Sequence, residues 1–249
     1  MISSYASDDA YQDEQINYRD MDYRDMDLAE QDMRGLDLRG ANLSAANMEG
    51  TDLRGANLTR ANLSGAILER ADLRDAVLIG ANLSAASLAN ADLQGANLTR
   101  ANLSEAILDQ AKMTESILKD ALMTRSSLWQ VMMTRADLSR TCLGEANLEG
   151  AVMIGVNLWL ASMGRSNLRD ANLTGANLVA ADLSEATIAN ADLTSANFSR
   201  ANLSGAELNN LTLNETNFSR VIFSRAHVTS VNFEDAKMNK AVMPDGGSY

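Results

Sequence analysis

Only one of the 249 residues is proline (Pro244), fewer than ordinary loops would use, so the chain has few irregular connections. One cysteine, Cys142, excludes an internal disulfide and fits a reducing compartment. One histidine, His227, leaves no second imidazole for a metal-ligand set. Aromatic residues make up 4 % of a chain that is 46 % apolar, so the core is built from Leu and Ala and must be narrow and uniform. No window approaches the run of about 18 apolar residues that a membrane-spanning helix needs. The start MISSYASDDAYQDEQ has neither a basic n-region nor an apolar h-region. The expected location is cytoplasmic, with no membrane as partner.

Positive charge is also in deficit, and unevenly so. The formal net charge is -12, and residues 1–35 alone carry ten acids against Arg19, Arg24 and Arg34. An acidic chain does not invite phosphate, since neutralising phosphates supplies most nucleic-acid affinity. No direct nucleic-acid binding is expected.

What the sequence has in abundance is a period. A large apolar residue recurs every five positions from Tyr18 to Met243, 225 residues and 45 steps without a slip. With that residue called i, position i-2 is usually Ala (Ala41, Ala56, Ala61, Ala101) and i-1 usually Asn or Asp. Positions i+1 and i+2 are mostly polar residues and Gly. A helix cannot use this pattern, because five residues at about 100° each spread successive i positions around the axis. A straight strand fails too, because five is odd and the apolar residue would change face at every repeat. The chain must turn once per pentapeptide, with i-2 and i pointing to one axis and i-1 away from it. A weaker period of 20 lies over the period of five: ANLS recurs at 41–44, 61–64, 81–84, 101–104 and 201–204. Four pentapeptides therefore make one coil, residues 20 apart stack, and about eleven coils at roughly 4.8 Å each give a rod on the order of 50–55 Å long.

The motifs ANLSG, ADLRD, ANLTR and ADLSE follow A(D/N)LXX, and the chain resembles the pentapeptide-repeat family over about residues 16–243. The ending AVMPDGGSY is similar to the ends of many cyanobacterial members. The resemblance implies an all-β fold, a right-handed quadrilateral β-helix. The domain expectation is an acidic N-terminal tail or cap at 1–15, the solenoid at 16–243 and a C-terminal tail at 244–249. Tyr18, Met21, Tyr23 and Met26 at one end, and Phe198, Phe218, Phe223 and Phe233 at the other, read as bulky plugs over the exposed core. The family also implies a rival function, since some members protect or inhibit DNA gyrase as acidic rods thought to imitate duplex DNA. Here the acid is concentrated at one end, Arg60, Arg100, Arg140, Arg200 and Arg220 recur on one side, and no loop interrupts the coils.

The chemistry-bearing residues read mostly as structure. Asp32, Asp52, Asp72 and Asp92 stack, as carboxylate rows that hold Ca²⁺ would, but Arg34, Arg54 and Arg74 run beside them. Asn42, Asn62, Asn82 and Asn102, with Ser44, Ser64, Ser84 and Ser104, read as a ladder bonding coil to coil. Thr114, Thr134, Thr174 and Thr194 share a column interrupted by Ile154, and their neighbouring column is too irregular for an ice-binding array. His227 and Cys142 read as surface residues. No nucleophile and base pair up, so no catalysis, metal or cofactor is expected. One departure stands out between residues 107 and 180, where outward positions turn apolar: Ile107, Ile117, Leu122, Trp129, Met132, Val152, Ile154, Trp159, Leu160 and Val179. Trp129, Met132, Val152, Ile154, Trp159, Leu160 and Val179 are expected to form one surface patch. The functional expectation is a non-enzymatic scaffold that binds a protein partner, or a second copy of itself, through that patch.

Overall fold

The computed structural model describes residues 18–248, and the proposed tail or cap at 1–15 lies outside them. Most pentapeptides turn in the same way. The N–H of one repeat's i-2 residue donates to the preceding i carbonyl, as from Ala41 to Leu38 (3.0 Å) and from Ala61 to Leu58 (3.0 Å). The residue before it, at i+2, takes a left-handed conformation, with φ of 59° at Arg60 and 65° at Gly65. A turn of this kind requires positive φ at its third residue. Most corners here are nonetheless occupied by Arg, Glu, Asp, Asn or Ala rather than Gly. Coil-to-coil bonds hold these side-chain-bearing residues in that conformation: the Arg60 N–H donates to the Ile79 carbonyl (3.0 Å) and that of Leu58 to Val77 (2.7 Å).

Four flat faces result, and residues 20 apart pair in parallel. Face 1 presents Asn42, Asn62 and Asn82; face 2 Asn47, Ile67 and Ser87; face 3 Asp52, Asp72 and Asp92; face 4 Asn57, Val77 and Asn97. The face 1 column runs unbroken from Asp22 to Val242. Most rungs are single bridges, because a pentapeptide that spends two residues on a turn leaves little extended backbone. Only on face 2 near the C-terminal end do short strands form, β1 (Thr187–Ala189), β2 (Glu207–Asn209) and β3 (His227–Thr229), paired in the order β1-β2-β3. The fold is the right-handed β-helix.

Both inward positions lie in a dry interior, with Ala96 and Leu98 wholly buried. Where the i-2 slot holds a hydroxyl, its proton goes to a carbonyl of the turn or of the coil below. Ser116 Oγ donates to Met113 O (2.8 Å) and Thr51 Oγ1 to Leu28 O (2.8 Å). Valine fits the slot at Val131, Val156 and Val221. Leucine does not fit in the same way. Leu211 takes the i-2 position on face 3 and stays only partly buried. Directly above it the ladder fails, since no bridge joins Thr212 to Asn232.

The two ends are closed differently. Phe198, Phe218 and Phe223 are buried, and Phe233 meets Phe218 and Phe223 edge-on with centroids 6.1 and 5.9 Å apart, as expected of a plug. Residues 244–248 turn back so that Val242 pairs antiparallel with Ser248. At the other end Tyr23 is buried, but Met21 and Met26 are 48 % and 45 % exposed, which corrects their reading as plugs. They hold i-2 positions of the first described coil, where no described coil lies beneath to enclose them.

Leu98→Ala is expected to cost about 2–5 kcal/mol through lost burial and a cavity. Ala96→Leu should cost about 1–3 kcal/mol by overpacking the slot. Urea unfolding followed by circular dichroism measures both, and a silent Ala96→Leu would contradict the packing described here.

Candidate functional site

Stacking places like above like, and the outward side chains have to live with that. On face 1 each Asn amide bridges two coils: Asn62 Nδ2 donates to Asn42 Oδ1 (3.2 Å), Asn82 to Asn62 (3.1 Å) and Asn102 to Asn82 (3.2 Å). The same oxygens accept the N–H two residues on, as from Ser64 to Asn62 (3.2 Å). The amides do bond coil to coil. The hydroxyls differ from expectation: Ser44 Oγ turns back on its own repeat, donating to Asn42 Oδ1 (2.8 Å). The ladder ends at Asn102, because the next residue of the column is the exposed Leu122.

On face 3 the Asp and Arg columns interlock. Each arginine pairs with the aspartate two residues before it, as Arg54 with Asp52 and Arg74 with Asp72 (both 2.5 Å). It also approaches the aspartate one coil on, Arg34 to Asp52 at 3.6 Å and Arg54 to Asp72 at 3.5 Å. Hydrogen bonds from Arg34 hold the Asp32 carboxyl down to about 2, and Arg54 and Arg74 lower Asp52 and Asp72. Among the described residues no group of three or more His, Cys, Asp or Glu is placed to hold a metal ion. Thr174 and Thr194 give their hydroxyls to Asn172 (2.7 Å) and Asp192 (2.6 Å), so they do not form a free hydroxyl array. His227 is exposed on β3, and Cys142 is half-buried between Leu122 and Ser162.

The apolar outward residues form two groups. Met132 and Val152 are bridged neighbours on face 3, with Ile154 at its far side and Trp129 at the corner of faces 2 and 3. Trp159, Leu160 and Val179 lie at the corner of faces 4 and 1, where the Leu160 N–H donates to the Val179 carbonyl (3.1 Å). Between the groups stands Asn157, bonded to Asp137 below and Asn177 above (both 2.9 Å). A polar ladder thus runs between them down the middle of face 4, and the two tryptophans mark opposite corners of the rod. Trp129 and Trp159 are 37 % and 40 % exposed. Leu122, on face 1 two coils below the second group, was not counted in the expected patch.

The sequence profile described as pentapeptide repeats matches residues 25–60, 56–95, 81–120, 91–130, 133–170, 161–200 and 196–239. The chain belongs to the pentapeptide-repeat family. Among solved pentapeptide-repeat structures it is similar to HetL, a protein involved in heterocyst differentiation regulation from the cyanobacterium Nostoc. The identity is 32 %, over 94 % of this chain and 93 % of that one, with a TM-score of 0.49. It is similar also to a pentapeptide repeat protein from the Arabidopsis thaliana thylakoid lumen, at 35 % identity over 41 % of this chain and 67 % of that one, TM-score 0.32. QnrB1, a plasmid-mediated fluoroquinolone resistance protein, is 18 % identical over 76 % of this chain and 88 % of its own, TM-score 0.38. No curated protein sequence matches. No catalytic family is indicated for this pentapeptide-repeat chain, and no helix of the described residues is long and apolar enough to cross a membrane.

The lowered carboxyls on face 3 set a pH dependence. An unfolded aspartate titrates near 3.8 and folded Asp32 near 2, so the unfolded chain takes up protons first as pH falls. The column's stabilisation is complete above about pH 4 and is lost between about pH 4 and 2. It is small, because these carboxylates are partly solvated. A triple variant Arg34→Met, Arg54→Met, Arg74→Met should have a lower urea midpoint than the wild type at pH 7. At pH 2 the two midpoints should nearly coincide.

Proposed function

We propose that this protein is a non-enzymatic scaffold whose rigid surface holds a protein partner, and that the apolar residues around Trp129 are its contact. The observation that carries the reading is the concentration of exposed Trp129, Met132 and Ile154, with Val152, on neighbouring coils, whereas Ile67 and Ile222 stand singly in columns that are mostly polar. Contiguous apolar surface of this kind usually marks an interaction site, and tryptophan is a common anchor of such contacts. Beside Trp129, Gln110 and Gln130 are neutral and bonded to each other (3.1 Å), while the charged neighbours Asp109, Glu149 and Lys112 form a polar rim. A second copy of the chain is the other occupant this surface would suit.

The reading as a DNA-mimicking modulator of gyrase has less support. Imitating duplex DNA calls for acid repeated along the rod, whereas arginine recurs along one corner and the face 3 aspartates are largely neutralised by arginine. Supercoiling by purified gyrase should therefore be unaffected at micromolar protein.

Trp129→Ala with Met132→Ser should leave the melting temperature within a few degrees of the wild type, because neither side chain is in the core. Both association in sedimentation velocity and recovery of partners in a pull-down from the source cell should fall. A variant that unfolds, or that keeps every partner, would return these residues to ordinary surface.

A further inference from the structure

Corner residues every 20 positions from Asp20 to Lys240, with the residues just before them, form the edge between faces 4 and 1. These two columns hold nine cations and two carboxylates, a net charge of +7 on a chain of net -12, so the rest of the sequence is at -19. The backbone shows that the row is continuous: the Arg60 N–H reaches Ile79 O, that of Arg140 reaches Trp159 O (2.9 Å), and that of Arg220 reaches Asn239 O (2.9 Å).

Most cations of this edge differ from the others in their partners. Away from it, every described arginine except Arg225 is in a salt bridge. On the edge, Arg19 and Arg39 pair with Asp37 and Arg140 with Asp120 (2.6 Å), while Arg60, Arg100, Arg200, Arg220 and Lys240 are exposed and in no salt bridge. The fold does not ask for this. Each is a left-handed corner, a position that elsewhere holds Gly, Ala or Asn. Arg200, Arg220 and Lys240 even stack directly, at a spacing of roughly 4.8 Å that sets like charges against one another. Midway along the row, between Arg140 and Arg200, the charge gives way to Trp159, Leu160 and Val179.

We propose that this edge is a docking strip for an acidic protein surface, a row of carboxylates with an apolar residue at its middle that seats on Trp159 and Leu160. The proposal rests on the reading of the rod as a protein-binding scaffold, though not on the Trp129 surface. Charge complementarity selects the partner: free cations on an acidic rod attract carboxylates locally while the remaining -19 repels anions elsewhere. A nucleic acid would fit less well, because its evenly spaced phosphates would find Asp120 in the row and an uncharged apolar stretch at the centre. The strip from Arg60 to Lys240 spans nine coils, roughly 43 Å at strand spacing, about the reach of 14 extended residues.

The test uses the full chain and an acidic peptide of about 14 residues with a central Leu pair. The probe's fluorescence anisotropy and the protein's tryptophan emission are both read. With Trp129→Phe the remaining emission reports on Trp159, and with Trp159→Phe on Trp129. Binding is expected to shift the Trp159 signal alone and to weaken at least tenfold between 50 and 300 mM salt. Arg200→Glu with Arg220→Glu should weaken it at least tenfold. Lys112→Glu with Arg225→Glu, which makes the same charge change off the edge, should alter it less than threefold. Equal losses in the two double variants, a shift of Trp129 instead, or no binding at low salt would each overturn the proposal. So would tighter binding of a single-stranded oligonucleotide of equal charge. Because Trp129→Ala with Met132→Ser is expected to leave this measurement unchanged, failure of the strip and failure of the Trp129 surface are told apart.

Discussion

Stacking in a fixed register of 20 residues governs almost everything else in this molecule. Each side chain stands over the one 20 positions earlier at the spacing of neighbouring strands, about 4.8 Å. A core column must then be filled by residues that pack on their own kind, and Leu over Leu does so. A surface column must tolerate repetition of the same polar group. Asparagine tolerates it best, because an amide is donor and acceptor at once, and Asn42, Asn62, Asn82 and Asn102 bond in series. A carboxylate cannot bond to a copy of itself, so the Asp column on face 3 exists only with an Arg column beside it. A third solution alternates the sign. Along the corner of faces 1 and 2 the residues are Glu105, Arg125, Glu145, Arg165 and Glu185, with Arg125 on Glu105 at 2.7 Å and Arg165 on Glu185 at 2.8 Å.

The same constraint explains what was legible in the sequence. The period of five, the period of 20 and the burial of i-2 and i are consequences of register, so Ala96, Leu98 and the Asn column could be placed without coordinates. Handedness could not, since spacing is the same in either hand. The apolar surface was legible as a set of residues but not as a shape. Counting columns put Ile154 and Trp159 in successive repeats, and only the bonds of Asn157 to its neighbours above and below make the polar strip between them visible. The end residues were read by frame alone. Met21 and Met26 have inward numbers but no described coil beneath them, so they differ from Phe218 and Phe223, which have described coils on both sides.

Departures from the repeat carry the remaining information, because the repeat leaves so little freedom. Leu211 in a slot that suits alanine coincides with the one place on face 3 where the ladder opens, between Thr212 and Asn232. Beside Asn232 lies a shallow cavity of about 390 Å³ lined by Asn232, Phe233, Glu234, Ala236, Met238 and Asn239. Val131 and Val156 at i-2 in mid-rod keep the ladder intact.

Rigidity then turns local departures into a geometry. The backbone rungs around the two tryptophans are tied above and below, so the corner at Trp129 and the corner at Trp159 cannot move relative to each other as two loops could. A partner that binds one corner leaves the other in a fixed position on the opposite side of the rod. The two corners also differ in charge, since the acids Asp109 and Glu149 stack directly below and above Trp129, while Arg140 and Arg200 stand along the edge from Leu160. Two different partners could therefore be held without competition. Linking them would raise the effective concentration of one for the other, an effect that depends on a fixed span and that a flexible chain of the same composition would lose.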